Sequence, residues 1–131
     1  MDGGIGMLKF IDANIIIKAF TDNDDMERCR RLIYSDFVTN TLCLVEAHNS
    51  IAKIKKNEKA AAIAIKSLFK SNGIIVDLDK NLLFEAIKRI EKYQLDIFDL
   101  INYTTALMHN CTEIVSYDKD FNGLEIKRTE P

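Results

Sequence analysis

At 131 residues the chain has the length of one domain and enough sequence to bury a single core without disulfide or metal staples. Apolar residues make up 47% and charged residues 29%, a globular balance that excludes a disordered chain. Eighteen Lys and Arg against twenty Asp and Glu leave a formal net charge of -2, which argues against a basic nucleic-acid coat protein.

The segment 1–6 holds three of the five glycines and no periodicity, so a flexible leader or tag remnant is expected there, with a single domain over 7–131. A short apolar strand is expected at 8–11, ending at Asp12, followed by a short helix over 14–20. Asp24 or Asp25 can cap a helix reaching Tyr34, with Met26, Cys29, Leu32 and Ile33 inward. After a brief strand at 37–39, Thr41 is a good N-cap for a helix to Lys56, with Leu44, Val45, Ala47, Ile51 and Ile54 as its apolar stripe. Asn57 interrupts the pattern, and 60–71 resumes it with Ile63, Ile65, Leu68 and Phe69. Asn72-Gly73 reads as a C-cap, and 74–78 as a β-branched strand. Asp79 caps a helix to Tyr93 with Leu83, Ala86, Ile87 and Ile90 inward; Asp96 caps another over 97–109. A strand at 113–117, a turn-rich loop at 118–123 and an edge strand at 124–127 complete the chain. Strands alternating with helices, several lacking strict polar alternation, predict an α/β fold: a three-layer α/β/α sandwich with a central parallel sheet of four or five short strands.

Other classes are excluded by what the sequence lacks. The longest apolar run, 60–65, is far too short to span a bilayer, and no signal peptide is evident, so a cytoplasmic protein without membrane association is expected. Cys29, Cys43 and Cys111 form no CxxC pair, which leaves reduced, buried thiols rather than a disulfide framework or a cysteine zinc site. Neither nucleotide-binding glycine motif occurs. His48 and His109 lack metal-ligand spacing, and Ser116 lacks a nucleophile-elbow context.

The acids are more informative than their number. Asp12 and Asp118 each follow an apolar strand, and in an open parallel sheet ligands bind beyond the carboxyl ends of strands. An Asp in that position also commonly starts a turn. Glu46 stands near the edge of an apolar helix stripe, where the helix dipole alone would favour it. Asp96 is accounted for as an N-cap; for Asp99, three residues on, capping and a site role both stand. Asp120, two residues after Asp118, has the turn reading as its alternative. Lys53, Lys55, Lys56 and Lys59 form a basic cluster that suits a solvated face or, more weakly, a phosphate backbone.

Taken together, Phe10-Ile11-Asp12-Ala13-Asn14, Glu46, Asp99 at a helix start, and Ser116-Tyr117-Asp118-Lys119-Asp120-Phe121 resemble the PIN domain, and within it the VapC-type toxin ribonucleases of prokaryotic toxin–antitoxin pairs. The resemblance runs from Leu8 onward. It implies that Asp12, Glu46, Asp99 and Asp118 are catalytic acids that bind metal. Asp120 would be a further metal-binding acid, with Asn14 and Ser116 as supporting polar groups. Ser116 stands where the family more often has Thr, and Asn102 where it is more apolar or small. The implied cofactor is one or two Mg²⁺ or Mn²⁺ ions. All-oxygen donors fit these ions, and crowded carboxylates need a cation to stay ionised together. The implied partners are an RNA substrate, a small antitoxin and a second copy of the chain in a homodimer. The expected reaction is metal-dependent hydrolysis of RNA phosphodiester bonds. Alternatives are a non-catalytic PIN-like RNA- or protein-binding scaffold and a metal-dependent nuclease or phosphatase acting on another substrate.

Overall fold

The computed structural model describes residues 8–131, so the expectation for 1–6 lies outside the described residues. The elements run β1 (Lys9–Ile11), α1 (Ala13–Ala19), α2 (Met26–Ile33), β2 (Val38–Asn40), α3 (Thr41–Lys55), α4 (Glu58–Leu68), β3 (Ile74–Val76), α5 (Lys80–Lys88), α6 (Ile97–Met108), β4 (Glu113–Val115) and β5 (Lys127–Thr129). The five strands form one wholly parallel sheet in the order β3-β2-β1-β4-β5. The chain therefore moves outward from β1 to β2 and β3, then returns to the other side of β1 for β4 and β5. The order reverses between β1 and β4, and in a doubly wound sheet that crevice is where ligands bind.

The α/β/α architecture with a parallel central sheet is the one expected. The six helices pack about the sheet: α6 lies against β1, β2 and β4, α5 lies against α6, and α1 contacts both α2 and α3. Phe10, Ile11, Val38, Ile114 and Val115 from three strands join Ile15, Ile16, Ile51, Leu100 and Tyr103 in one core. All three cysteines are buried free thiols.

Local differences from the expected elements have physical causes. Helix α3 is capped by Asn40, whose Oδ1 accepts the Cys43 N–H at 2.9 Å. Thr41 is occupied elsewhere, its hydroxyl accepting the Leu78 N–H at 2.9 Å. Helix α3 stops at Lys56, which takes a left-handed conformation, and Asn57 then caps α4. Gly73 is not a C-cap, because α4 ends earlier, at Leu68. Its lack of a Cβ serves a close approach, since any Cβ there would run into the ring of Phe37. Val45, Ile54, Ile63 and Phe69 are exposed, as are Leu83, Ile87 and Ile90; α5 instead buries Leu82 and Ala86. The edge strand lies at Lys127–Thr129 rather than 124–127, with Ile114 registered to Arg128.

Candidate active site

At the β1–β4 crevice, β1 delivers Asp12 and the Asp12 N–H donates to the Val115 carbonyl at 3.1 Å. The Asp12 side chain caps α1, its Oδ1 accepting the Ala13 N–H at 2.7 Å. Its Oδ2 accepts the Ser116 hydroxyl at 2.6 Å. Ser116 is itself fully buried and accepts the Asp118 N–H at 3.0 Å and Nδ2 of Asn14 at 3.4 Å. One hydroxyl thereby links the first acid to the loop carrying the last two. Within that loop, Asp118 Oδ1 accepts the Asp120 N–H at 2.9 Å.

Asp99 comes from the first turn of α6, where Asp96 accepts its N–H at 2.8 Å as N-cap. Asp99 enters the cap through its backbone N–H, not through the side-chain bond of a capping box, and its carboxylate lines the cleft. That carboxylate, with those of Asp118 and Asp120, offers three oxygens lying within 4.8 Å of one another. Asp12, Asn14, Glu46, Asp99 and Asp118 line one cleft of about 250 Å³, together with Ser50, Phe98 and Asn102. Glu46 reaches it from the exposed side of α3, and Asp120 lies just outside the lining. Lys53, Lys55 and Lys56, at the far end of α3, are not among the cleft residues; Lys55 lines a separate depression with Phe20 and Arg30.

The electrostatics are those of crowded like charges. Desolvation pushes the Asp99 carboxyl up to about 7, with Asp118, Asp96, Asp12 and Asp120 adding repulsion. Burial raises Asp12, against the lowering effect of its Ser116 and Ala13 hydrogen bonds. Partial desolvation and the charges of Asp12 and Asp96 raise Glu46. Among the described residues no Lys or Arg forms an ion pair with Asp12, Glu46, Asp99, Asp118 or Asp120. Oδ1 of Asn14 is buried in the same place without a hydrogen-bond partner. An all-oxygen donor set with surplus negative charge and an unpartnered amide oxygen fits a hard divalent cation such as Mg²⁺ or Mn²⁺.

Sequence reasoning missed the role of Asn102, noticing it only as unusual. Its Oδ1 accepts from Asn40 Nδ2 at 2.9 Å and from Cys43 Sγ at 3.3 Å, and its Nδ2 reaches toward Asp12 Oδ1 at 3.5 Å. A buried amide in a largely apolar helix was the available signal, since such groups require partners. One concavity larger than the acid cleft is a mainly apolar groove of about 680 Å³ between α3 and α4, lined by Leu44, Val45, Ile65 and Phe69 and ending on Glu46.

The fold recurs in solved structures. A toxin–antitoxin complex from Klebsiella pneumoniae matches with a TM-score of 0.73 at 19% identity, covering 92% of this chain and 96% of that one. VapC20 of Mycobacterium tuberculosis, described as a sarcin–ricin loop cleaving toxin, matches with a TM-score of 0.70 at 15% identity, covering 91% and 98%. VapBC2 of Rickettsia felis, bound to a DNA fragment from its promoter, matches with a TM-score of 0.69 at 17% identity, covering 95% and 98%. No curated protein matches the sequence. The family model of the PIN domain matches residues 9–127, spanning β1 to β4 and all the acids of the cleft, and the chain belongs to the PIN domain family.

Proposed function

We propose that the protein is a metal-dependent endoribonuclease, acting as the toxin of a toxin–antitoxin pair. The observation that carries this reading is the convergence of Asp12, Glu46, Asp99 and Asp118 on one cleft where, among the described residues, no cationic side chain is paired to them. A bound Mg²⁺ or Mn²⁺ would offset their repulsion and polarise both a scissile phosphate and an attacking water. The residues that would hold it are Asp99, Asp118 and Asp120, whose oxygens already stand close together, with Asp12 beside them. Ser116 fixes the orientation of Asp12, and the Asp96 cap fixes the first turn of α6 that carries Asp99. Glu46 faces the same space from α3 and is free to orient water or substrate. Asn14 keeps one amide oxygen for a water or an ion.

The similar structures include a protein described as a sarcin–ricin loop cleaving toxin and two toxin–antitoxin assemblies, which supports a ribonuclease restrained by an antitoxin. The apolar groove between α3 and α4, running up to Glu46, is surface that an antitoxin segment could cover. Pairing with a second copy is a further expectation, checked by the mass in solution. No described helix is long and apolar enough to cross a membrane.

The test is cleavage of RNA and, in parallel, single-stranded DNA by the purified full chain with Mg²⁺, Mn²⁺ or EDTA. RNA cleavage that EDTA abolishes and Asp99→Asn removes is the expected result. Cleavage unchanged in Asp99→Asn would overturn the assigned site, and preference for DNA would overturn the substrate.

A further inference from the structure

Arg128 lies in the edge strand β5, one residue beyond the family match, and its side chain is only 14% exposed. Its Nη1 donates to the Ser116 carbonyl at 2.8 Å, and its Nε to Asn122 Oδ1 at 2.6 Å. Ser116 and Asn122 are the two ends of the loop that carries Asp118 and Asp120. Glu130 accepts from Nη1 at 2.8 Å and helps fix the guanidinium. The loop has bonds of its own, from Asp120 N–H to Asp118 and from Asn122 N–H to the Lys119 carbonyl at 3.0 Å, and Phe121 is buried beneath it. Those shape the turn. Among the described residues, the guanidinium is the one side chain that bonds both the entry and the exit of the loop, and it does so from the sheet, which requires several donors on one rigid plane.

We propose that Arg128 is a positioning residue for the acid cluster: by joining the two ends of the loop it holds the Asp118 and Asp120 carboxylates at ion-binding separation from Asp99. The inference rests on the metal-dependent reading above. Three like charges within reach of one another push the loop outward. A tether at both ends opposes that push before any ion arrives, so the ion need not gather its own ligands. Arg128 touches no reacting atom, and its effect passes through the loop.

The experiment compares the wild-type chain with Arg128→Gln, Arg128→Lys and, as a control on the same strand, Lys127→Gln. Mn²⁺ alone is titrated and free ion followed by electron paramagnetic resonance; RNA cleavage gives kcat and KM; hydrogen exchange is read without metal. Arg128→Gln is expected to weaken Mn²⁺ binding about ten- to a hundredfold. Its kcat at limiting metal should fall while KM for RNA holds, and excess Mn²⁺ should restore the rate. Arg128→Lys, keeping one donor for the Ser116 carbonyl, should recover part of the affinity, and Lys127→Gln should match wild type. Exchange in Arg128→Gln should quicken over 117–122 and stay unchanged in α6. Wild-type Mn²⁺ affinity together with wild-type exchange in Arg128→Gln overturns the proposal. If the wild type itself binds no Mn²⁺, the metal reading fails, and exchange alone decides whether Arg128 orders the loop. If Arg128→Gln does not fold, Arg128→Lys decides: reduced Mn²⁺ affinity upholds the proposal and full affinity overturns it.

Discussion

The Ser116 hydroxyl donates to Asp12 Oδ2 at 2.6 Å while it accepts the Asp118 N–H at 3.0 Å, so two acids from different strands share one small buried group. Ser116→Ala removes both bonds and leaves a carboxylate oxygen and an N–H without partners inside the protein. A loss of about 1–3 kcal/mol is expected from denaturant unfolding. The same bond lowers the Asp12 pKa, so its removal should raise that pKa further, and metal binding at neutral pH should weaken.

The acid cleft sets an unusual pH dependence for the metal-free protein. The folded Asp99 carboxyl titrates at about 7, well above its ordinary value of 3.8. Between those values the folded state keeps a proton that the unfolded state has released, so stability falls as pH rises. The contribution is complete below the unfolded value and gone above the folded one. Asp12 and Glu46 are also raised and act in the same direction. Glu125 bounds the range from below. Hydrogen bonds from Tyr93 and Tyr103 help hold it down at about 2, so its contribution is present above the ordinary carboxylate range and lost as pH falls through about 2. Thermal melts in EDTA should show midpoints declining from about pH 5 to about pH 7.

Asp99→Asn separates stability from activity. In EDTA at pH 8 it removes one of the repelling charges without changing size, and the variant is expected to melt above wild type. The gap should narrow toward pH 5, where wild-type Asp99 carries its own proton. Saturating Mn²⁺ should reverse the order, because only the wild-type site gains the full binding free energy. Melting curves at two pH values, with and without Mn²⁺, check all three statements.

Gly73→Ala tests a packing limit far from the chemistry. The added methyl meets the Phe37 ring, which is itself almost wholly buried. Overpacking of this kind costs about 1–3 kcal/mol, and cleavage by the folded fraction should be unaffected. Pairing the change with Phe37→Leu should recover part of the loss, as a double-mutant cycle would show.

Tyr103 is fully buried, and its hydroxyl donates to Glu125 at 3.0 Å while accepting the Ile126 N–H at 3.0 Å. Tyr103→Phe keeps the ring contacts with Tyr93 and Phe121 but leaves that N–H without its acceptor. A destabilisation of about 1–3 kcal/mol is expected, with faster hydrogen exchange at Ile126 as the local signature.

The order of elements could be read from the chain because apolar runs, caps and turn residues agreed with one another. Asp79 and Asp96 cap the helices they precede, as expected. Asn40, not the expected Thr41, caps α3; both residue types cap well, and the Thr41 hydroxyl is taken by the distant Leu78 N–H. Inward faces were harder: with apolar residues all round α3, α4 and α5, periodicity could not show that Val45, Ile63 and Ile87 face solvent. Strand β5 is Lys-Arg-Thr, and its position follows from pairing with β4 rather than from any pattern of its own. The acids at strand and helix ends were legible because topology alone brings those ends together. Asn102 and Arg128 were not, since each acts on partners that only folding brings near.

A surface loop ordinarily tolerates insertion and deletion among relatives. The loop between Ser116 and Asn122 departs from that rule, because one guanidinium must span its two ends. Its length is as constrained as its residues. Natural relatives that keep the arginine should keep the spacing, and those that gain or lose a residue there should have lost the arginine with it.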